Sequence, residues 1–503
     1  MQVILKKCQS SANLISTYEL FTSSVEESEE RLNLRLIFLD DEYAECDLTL
    51  VHEFSEVPSA PSDASDLKDE KITVSSRILA DGEVLNDFVV VEKVPLAKGG
   101  QELKRQAYLL LSRLTGIEMP FGSLIGVRPG EFVRRLLIEN PKEEQVAEDL
   151  VLNYGLAPEK ARKLLRVVQT EESLLEQLPQ DAYLLYIGIP YCPGRCAYCS
   201  FIAQDALRHE QELHDYALAL KTEIEASLSS MKPKISAVYF GGGTPTSLNT
   251  ADLSLVLEAL QPYLSSNAKL ELTIEAGRAD TLSREKLQLM KDFSVDRLCI
   301  NPQSFHEETL LRIGRRHTVK QVYEMYSLAR DLGFEDINMD LILGLPGESP
   351  KDFAYSLKEA IRLGVDSLTL HSLAFKRSAQ IASEENISKH RRLLLPQSEW
   401  IHQLSEAENE LLALDYVPYY LYRQKRVISG LENTGFAKAG KACLYNVGMM
   451  SDRREVIGIG SGSVSKRLRN KHLERIYNSK DLGQYICQIN EVIAKKLKFF
   501  EEH

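Results

Sequence analysis

The stretch PYCPGRCAYCSF, Pro190 to Phe201, places Cys192, Cys196 and Cys199 within eight residues, in the spacing C-x3-C-x2-C. Three thiolates so close together could hold zinc, hold an iron–sulfur cluster or exchange disulfides. Structural zinc takes four protein ligands. The next histidine is His209, ten residues past Cys199, and no second C-x2-C follows. A redox C-x-x-C pair would leave Cys192 unexplained. Three cysteines on one loop suit a 4Fe–4S cluster that keeps one iron free of protein and open to a substrate or cofactor. The other cysteines, Cys8, Cys46, Cys299, Cys443 and Cys487, are scattered singly, as expected of reduced thiols in a cytoplasmic chain.

Further unusual residues follow at intervals. YFGGGTPT, from Tyr239, has three consecutive glycines that let a ligand approach bare backbone, then Thr244 and Pro245 to restrict the exit. TIEAGRADT contains Glu275, and INPQSFHEETLLRIGRRH contains Gln303 and Arg315, the last able to grip a carboxylate with two parallel hydrogen bonds. INMDLILGLPGES buries Asp340 in an apolar run, where a carboxylate needs a partner. Each residue also has a plainer reading: a Gly turn, a solvated strand end, a loop amide, a surface arginine or a core hydrogen bond.

The elements that must carry these residues are legible as a rhythm. LLYIGI, ISAVYF, LELTIE, VDRLCI, FEDINMDLIL and VDSLTL are short apolar runs, and the first five are each followed by a helical pattern. Alternating strand and helix predicts a parallel sheet or βα barrel. Six units are fewer than the eight of a closed barrel, so an open, partial (β/α)6 barrel is expected. Ligands of such folds gather at the C-terminal ends of the strands, and every motif above falls in or just after a run.

This α/β barrel is expected over residues 179–378. Residues 1–178 read as an α+β extension. Leu32, Leu34, Leu36 and Phe38 alternate as in a half-buried strand, DDEY turns, and SEVPSAPSDASDLKDE reads as a solvated loop. Helices then run from Gln101, with stops at Gly116 and Pro179 and a start near Pro129. Residues 379–503 read as a mainly helical C-terminal cap, with QSEWIHQLSEAENELLALDY as an amphipathic helix, an aromatic and basic YVPYYLYRQK and a glycine-rich GIGSGSVSK. The net charge of -13, with no long basic tract, argues against nucleic acid as partner. No apolar run is long enough to span a membrane, and the first residues are too short an apolar stretch for a secretory signal.

C-x3-C-x2-C after the first strand of a βα barrel resembles the signature of radical S-adenosylmethionine (SAM) enzymes. In that family the cofactor's amine and carboxylate chelate the open iron, and one electron from the cluster releases a 5′-deoxyadenosyl radical. The resemblance implies Cys192, Cys196 and Cys199 as cluster ligands. It implies Gly242, Gly243, Thr244, Glu275, Gln303, Arg315, Asp340 and Ala374 around S-adenosylmethionine, with Tyr186 and Tyr198 beside them. It also implies a one-electron donor such as flavodoxin or ferredoxin.

Residues 183–375 as a whole look like the oxygen-independent coproporphyrinogen III dehydrogenase group, which converts two propionates of coproporphyrinogen III to vinyls. The long N-terminal extension, HSLAFKR and ENTGFAKAGKACLYN are most similar to a dehydrogenase-like branch of it. Two positions differ. The dehydrogenases carry a fourth cysteine where this chain has Phe201. A haem-delivering branch carries His-Asn-x-x-Tyr where this chain has Tyr445 to Met449. Three functions follow as expectations: a radical enzyme acting on a porphyrinogen, a haem-binding chaperone, or a radical enzyme with another substrate. Arg315, Arg316, Lys376, Arg377 and the tyrosines Tyr419, Tyr420 and Tyr422 are the expected grip on a substrate's carboxylates and rings.

Overall fold

The computed structural model describes residues 2–6, 35–38, 48–55, 71–80, 83–95, 99–124, 128–201, 204–264, 270–376, 379, 381, 397–469 and 472–501. Leu32, Leu34, the DDEY turn, residues 56–70 of the solvated loop, Cys8, Cys46 and Arg377 lie outside the described residues. The chain forms two compact units, one of Met1–Leu165, Glu384–Ile401 and Arg423–Leu431, the other of Arg166–Ser383, His402–Tyr422 and Glu432–His503.

In the first unit, β1 (Gln2–Lys6), β2 (Arg35–Phe38), β3 (Leu48–Ser55), β4 (Lys71–Ala80) and β5 (Glu83–Pro95) form a sheet in the order β2-β1-β3-β4-β5. Val74, Ser76 and Ile78 alternate inward from β4. Helix α1 (Gly99–Thr115) buries Leu103, Ala107, Leu110 and Leu111, one face at helical spacing. Its buried Gln106 donates to the Val74 carbonyl at 3.0 Å and accepts from the Ser76 hydroxyl at 2.7 Å, which fixes the helix on the sheet. The helix ends where expected, with Gly116 at φ +67°. Helix α2 (Pro129–Glu139) begins on Pro129, and α3 (Glu143–Leu152) and α4 (Pro158–Leu175) complete the helical run before Pro179.

The second unit contains all six expected strands: β6 (Tyr183–Ile189), β9 (Ile235–Gly242), β10 (Glu271–Ile274), β11 (Arg297–Cys299), β12 (Asp336–Leu343) and β13 (Ser367–Ser372). Between β6 and β9 lie two short strands, β7 (Tyr191–Cys192) and β8 (Gln204–Asp205). The six are parallel and adjacent in chain order. Helices α5 (Glu210–Met231), α6 (Thr250–Leu264), α7 (Arg284–Asp292), α8 (Glu307–Arg312), α9 (Val319–Asp331) and α10 (Pro350–Leu363) make the crossovers. β6 is apolar on both faces, whereas β12 presents Asp336, Asn338 and Asp340, and β13 Ser367, Thr369 and His371, along one face.

The C-terminal region has the expected helix, α11 (Ser398–Ala413), followed by α12 (Leu444–Ser451), α13 (Leu482–Cys487) and α14 (Ile489–Glu501). It also supplies five strands. β14 (Val417–Arg423) and β15 (Glu432–Ala437) extend the sheet beyond β13, and β16 (Val456–Ile459), β17 (Val464–Arg469) and β18 (His472–Tyr477) extend it beyond β6, giving eleven strands. The aromatic and basic YVPYYLYRQK forms a strand over Val417–Arg423. Its aromatic residues are buried on both faces, which removes the alternation that would mark it. Tyr419 and Tyr420 pack with Leu184, Ala237, Tyr445 and Val456 in one core. Among the described residues no helix is long and apolar enough to cross a membrane.

Candidate functional site

The three cysteines sit on the loop after β6, closed at its base by pairing of β7 with β8 and by the Gln204 amide donating to the Pro190 carbonyl at 2.9 Å. Within it the Cys199 amide donates to the Cys196 carbonyl at 3.1 Å. From outside, the Ala197 amide donates to Ile313 at 2.9 Å and the Arg278 guanidinium to Gly194 at 3.2 Å. Arg278 is itself buried and paired with Asp280 at 2.8 Å. Cys196 is buried, Cys192 and Cys199 half-buried, and all three are free thiols. Burial pushes the Cys192 thiol up to about 11, although the Thr244 hydroxyl, 3.5 Å from its sulfur, works the other way. Burial raises Cys199 too. Metal binding would release the protons of these thiols.

Among the described residues no three His, Cys, Asp or Glu side chains converge as a single ion would require. A 4Fe–4S cluster makes no such demand, since each thiolate binds its own iron. The donor set fits a cluster: three sulfurs on one loop, with the Arg278 charge acting on Cys192 and the Lys376 and Arg315 charges on Cys199.

The glycine run ends β9 against this loop. The Gly243 amide donates to Ile189 at 2.8 Å and the Thr244 amide to Tyr191 at 2.7 Å. A Cβ on Gly243 would stand 2.5 Å from the Tyr191 carbonyl oxygen and 2.9 Å from that of Ile189. Gly242, at φ +108°, would place one 3.2 Å from the Tyr186 hydroxyl. The backbone approach that the three glycines suggest is therefore used first by the chain itself.

Across the strand ends the other residues gather. Glu275 follows β10. Burial, then the charge of Asp340, pushes its carboxyl up to about 8, against the pull of Arg315 and the Tyr239 hydroxyl. Asp340 in β12 goes the other way. Burial works to raise it, but the imidazole of His371 and the groups of Asn338 and Thr369 outweigh burial and hold it low. His371 Nε2 lies 3.6 Å from Asp340, and its Nδ1 lies 3.3 Å from the Tyr422 hydroxyl. Gln303 follows β11 at φ +68°, an unusual conformation held by its amide donating to Asp340 at 2.9 Å and its carbonyl accepting from Ile342 at 3.0 Å. Its buried side-chain oxygen has no hydrogen-bond partner in the protein. Ala374 is buried just past β13.

Arg315 departs from expectation. Its Nη1 donates to Asn301 at 2.6 Å and Gly277 at 3.1 Å, and its Nη2 to the Tyr198 hydroxyl at 3.1 Å. Both ends of the fork are thus engaged in tying three strand-end loops together, and only Nε lacks a partner. Three of its five N–H groups are used in this way, which leaves Nε–H and one hydrogen of Nη2. Arg316, next to it, is exposed. Lys376 lies over the Phe201 ring at 5.7 Å. Tyr419 belongs to the core, while Tyr420 and Tyr422 stack at 6.4 Å and reach the Thr369 hydroxyl at 3.1 Å and His371 respectively.

Sequence reasoning missed His371, Tyr239, Asn301 and Arg278. His371 had a signal: it is two residues past Thr369, so the strand period puts both on one face. Tyr445 is buried with its ring 4.9 Å from Tyr239 and 6.2 Å from Tyr186.

Residues 186–360 match the radical SAM superfamily. The chain is similar to the oxygen-independent coproporphyrinogen-III oxidase-like protein HemZ of Bacillus subtilis (strain 168), with 34% identity over 447 residues, 86% of this chain and 88% of that protein. It is similar also to the heme chaperone HemW of the same strain, with 31% identity over 280 residues, 55% of this chain and 69% of that protein. Among solved structures, the radical SAM enzyme coproporphyrinogen III oxidase (HemN) of Escherichia coli aligns with a TM-score of 0.49 and 23% identity, over 64% of this chain and 72% of the other.

Proposed function

Because the chain belongs to the radical SAM superfamily, in the family of oxygen-independent coproporphyrinogen-III oxidase-like proteins, we propose that it decarboxylates propionates of coproporphyrinogen III to vinyls. Its cofactors are a 4Fe–4S cluster and S-adenosylmethionine. In this reading Cys192, Cys196 and Cys199 hold the cluster, and residues 179–378 carry the cofactor chemistry. When bound, the two cofactors together would supply a 5′-deoxyadenosyl radical that takes a hydrogen atom from the propionate side chain, and loss of carbon dioxide with one further electron passed to an external one-electron acceptor would leave the vinyl.

The chain's own residues bind and orient. Gly242, Gly243 and Thr244 offer backbone at the end of β9. The Gln303 side-chain oxygen accepts from a hydroxyl or amine of S-adenosylmethionine. Asp340, held low, sets negative charge opposite its cationic groups, Glu275 adds to it once ionised, and Arg315 with Tyr198 holds the loops in register. Tyr186 and Ala374 border the same space. The observation that carries the reading is this convergence of three thiols, a glycine cradle and two carboxylates on one set of strand ends, beside tyrosine rings able to face a tetrapyrrole.

A haem chaperone is the second reading, favoured by the similarity to HemW. Against it, Tyr445 stands where the haem-delivering branch has its His-Asn-x-x-Tyr, and its phenol is buried between tyrosine rings. The deciding experiment is an anaerobic assay with reduced protein, S-adenosylmethionine and coproporphyrinogen III, scored for 5′-deoxyadenosine and for vinyl products. Near-stoichiometric haem binding with no product would reverse the choice.

Two further outcomes are expected. Reconstituted protein should hold about four irons per chain, and Cys196→Ala should lose them; tight zinc without iron would refute the cluster. The second concerns pH. Glu275, raised to about 8, is ionised only at higher pH, so affinity for the cationic S-adenosylmethionine should rise with pH through that value. Glu275→Gln should remove the rise, which separates it from titration of the ligand's own amine at about 8. Folding stability runs the opposite way. The group's contribution is complete below its ordinary value of 4.5 and is lost as pH rises through about 8. A wild-type affinity that is flat with pH would remove Glu275 from the site.

A further inference from the structure

We propose that the outer face of the cysteine loop, together with the end of α8 and the turn that follows it, is the docking surface for an acidic protein that delivers single electrons. The proposal rests on reading Cys192, Cys196 and Cys199 as cluster ligands.

The surface is built from two segments in contact. The Ile313 carbonyl holds the Ala197 amide at 2.9 Å, and Gly314 comes so close that a Cβ on it would lie 3.1 Å from the Arg195 carbonyl oxygen. Arg316 lies beside Gly194. Within these segments Arg195, Leu311, Arg312 and Arg316 are exposed, Leu311 by 74%. Arg315 and Arg316 are consecutive, yet Arg315 is buried among the strand-end loops and Arg316 is exposed. Arg312 is held in place by the Pro346 carbonyl at 2.7 Å, which reduces the ordering cost of using it in a contact. Of the acidic residues of α8, Glu307 is engaged by the Val319 amide at 2.7 Å, while exposed Glu308, four positions before Arg312, shares its helix face and sets one negative charge at the margin of the surface.

The chain as a whole carries a net charge of -13. Three exposed arginines and one exposed leucine, Arg195 on the loop that bears the thiols and the others on the segment packed against it, stand out against that background. An apolar centre with a charged rim is the anatomy of a transient interface whose encounter is steered by charge. The positive rim favours an acidic partner, against a chain whose net charge is negative. At this surface one electron leaves the carrier and one enters the cluster; the carrier is oxidised by one electron, the cluster is reduced by one, and no bond is made or broken there.

The test uses reduced flavodoxin, an acidic one-electron carrier, with the full chain loaded with iron under anaerobic conditions. Binding is titrated by flavin fluorescence at several salt concentrations, and cluster reduction is followed by its visible bleaching. Arg312→Glu/Arg316→Glu should weaken binding at low salt at least about tenfold and flatten its salt dependence. Reduction by flavodoxin should slow to match, while reduction by dithionite and the iron content stay unchanged. Arg316→Glu alone should give a smaller loss of the same kind. Unaltered flavodoxin affinity in the double variant would overturn the proposal. So would a variant that loses affinity for a single-stranded oligonucleotide but not for flavodoxin. Titrating the iron-free chain in parallel keeps a failure of the cluster reading distinct from a failure of the docking face.

Discussion

Gly243→Val is expected to weaken S-adenosylmethionine binding at least about a hundredfold, some 2.8 kcal/mol, and to lower the iron content with it. The atoms a side chain would meet are backbone: the Tyr191 carbonyl oxygen at 2.5 Å, the Tyr191 nitrogen at 2.8 Å and the Ile189 oxygen at 2.9 Å. No rotamer relieves such an overlap, so the ends of β6 and β9 must part. Tyr191 precedes Cys192, and displacement there passes directly to the thiol. From the motif alone one would expect cofactor binding to fail while iron stays; the geometry joins the two losses. Gly194→Ala is the control, because its Cβ would meet only Arg316 Nε at 3.8 Å. Full iron and unchanged affinity in Gly243→Val would show that the strands do not close as described.

Lys496→Met is expected to cost about 3–5 kcal/mol of stability, the usual penalty for leaving one member of a buried ion pair alone. Lys496 on α14 and Glu223 on α5 are wholly buried and bonded to each other. Lys496 also donates to the Gly458 carbonyl. Glu223 accepts in addition from the Gly460 amide at 2.8 Å, from Asn478 at 2.9 Å and from the Tyr485 hydroxyl. Burial lowers the Lys496 pKa despite the carboxylate beside it. Denaturant unfolding should show the loss as a lower midpoint, with partial recovery in Lys496→Met/Glu223→Gln, where no unpaired charge remains. A midpoint equal to that of the unaltered chain would mean the pair adds nothing.

The sequence made some parts of this plain and hid others, for physical reasons. The six parallel strands were legible because short apolar-rich runs alternate with helical patterns, and Gly116, Pro129 and Pro179 punctuate the helices. The thiols were legible because local spacing carries their chemistry. β16 was hidden: VIGI, followed by GSGSVSK, reads as a glycine-rich loop, and its strand character comes from pairing with β6 far earlier in the chain. The Glu223–Lys496 pair spans 273 positions, a distance at which no pattern connects two charges. Arg315 and Arg316 look equivalent in GRRH; only the fold turns one inward and the other out.

The placement of β16 bears on how the chain is made. Leu184 pairs with Ala237 on one side and with Val456 on the other. A chain emerging from the ribosome therefore completes the crossovers from β6 to β13 while both margins of the sheet are still bare. β13 waits for Phe436 and its neighbours, and β6 waits longer still. Contacts so distant in sequence form slowly, and an uncovered strand invites pairing with another nascent chain. The strand that leads into the cysteine loop is thus the last of the six to gain its second neighbour, so the cluster-bearing segment is settled only after nearly the whole chain has been synthesised.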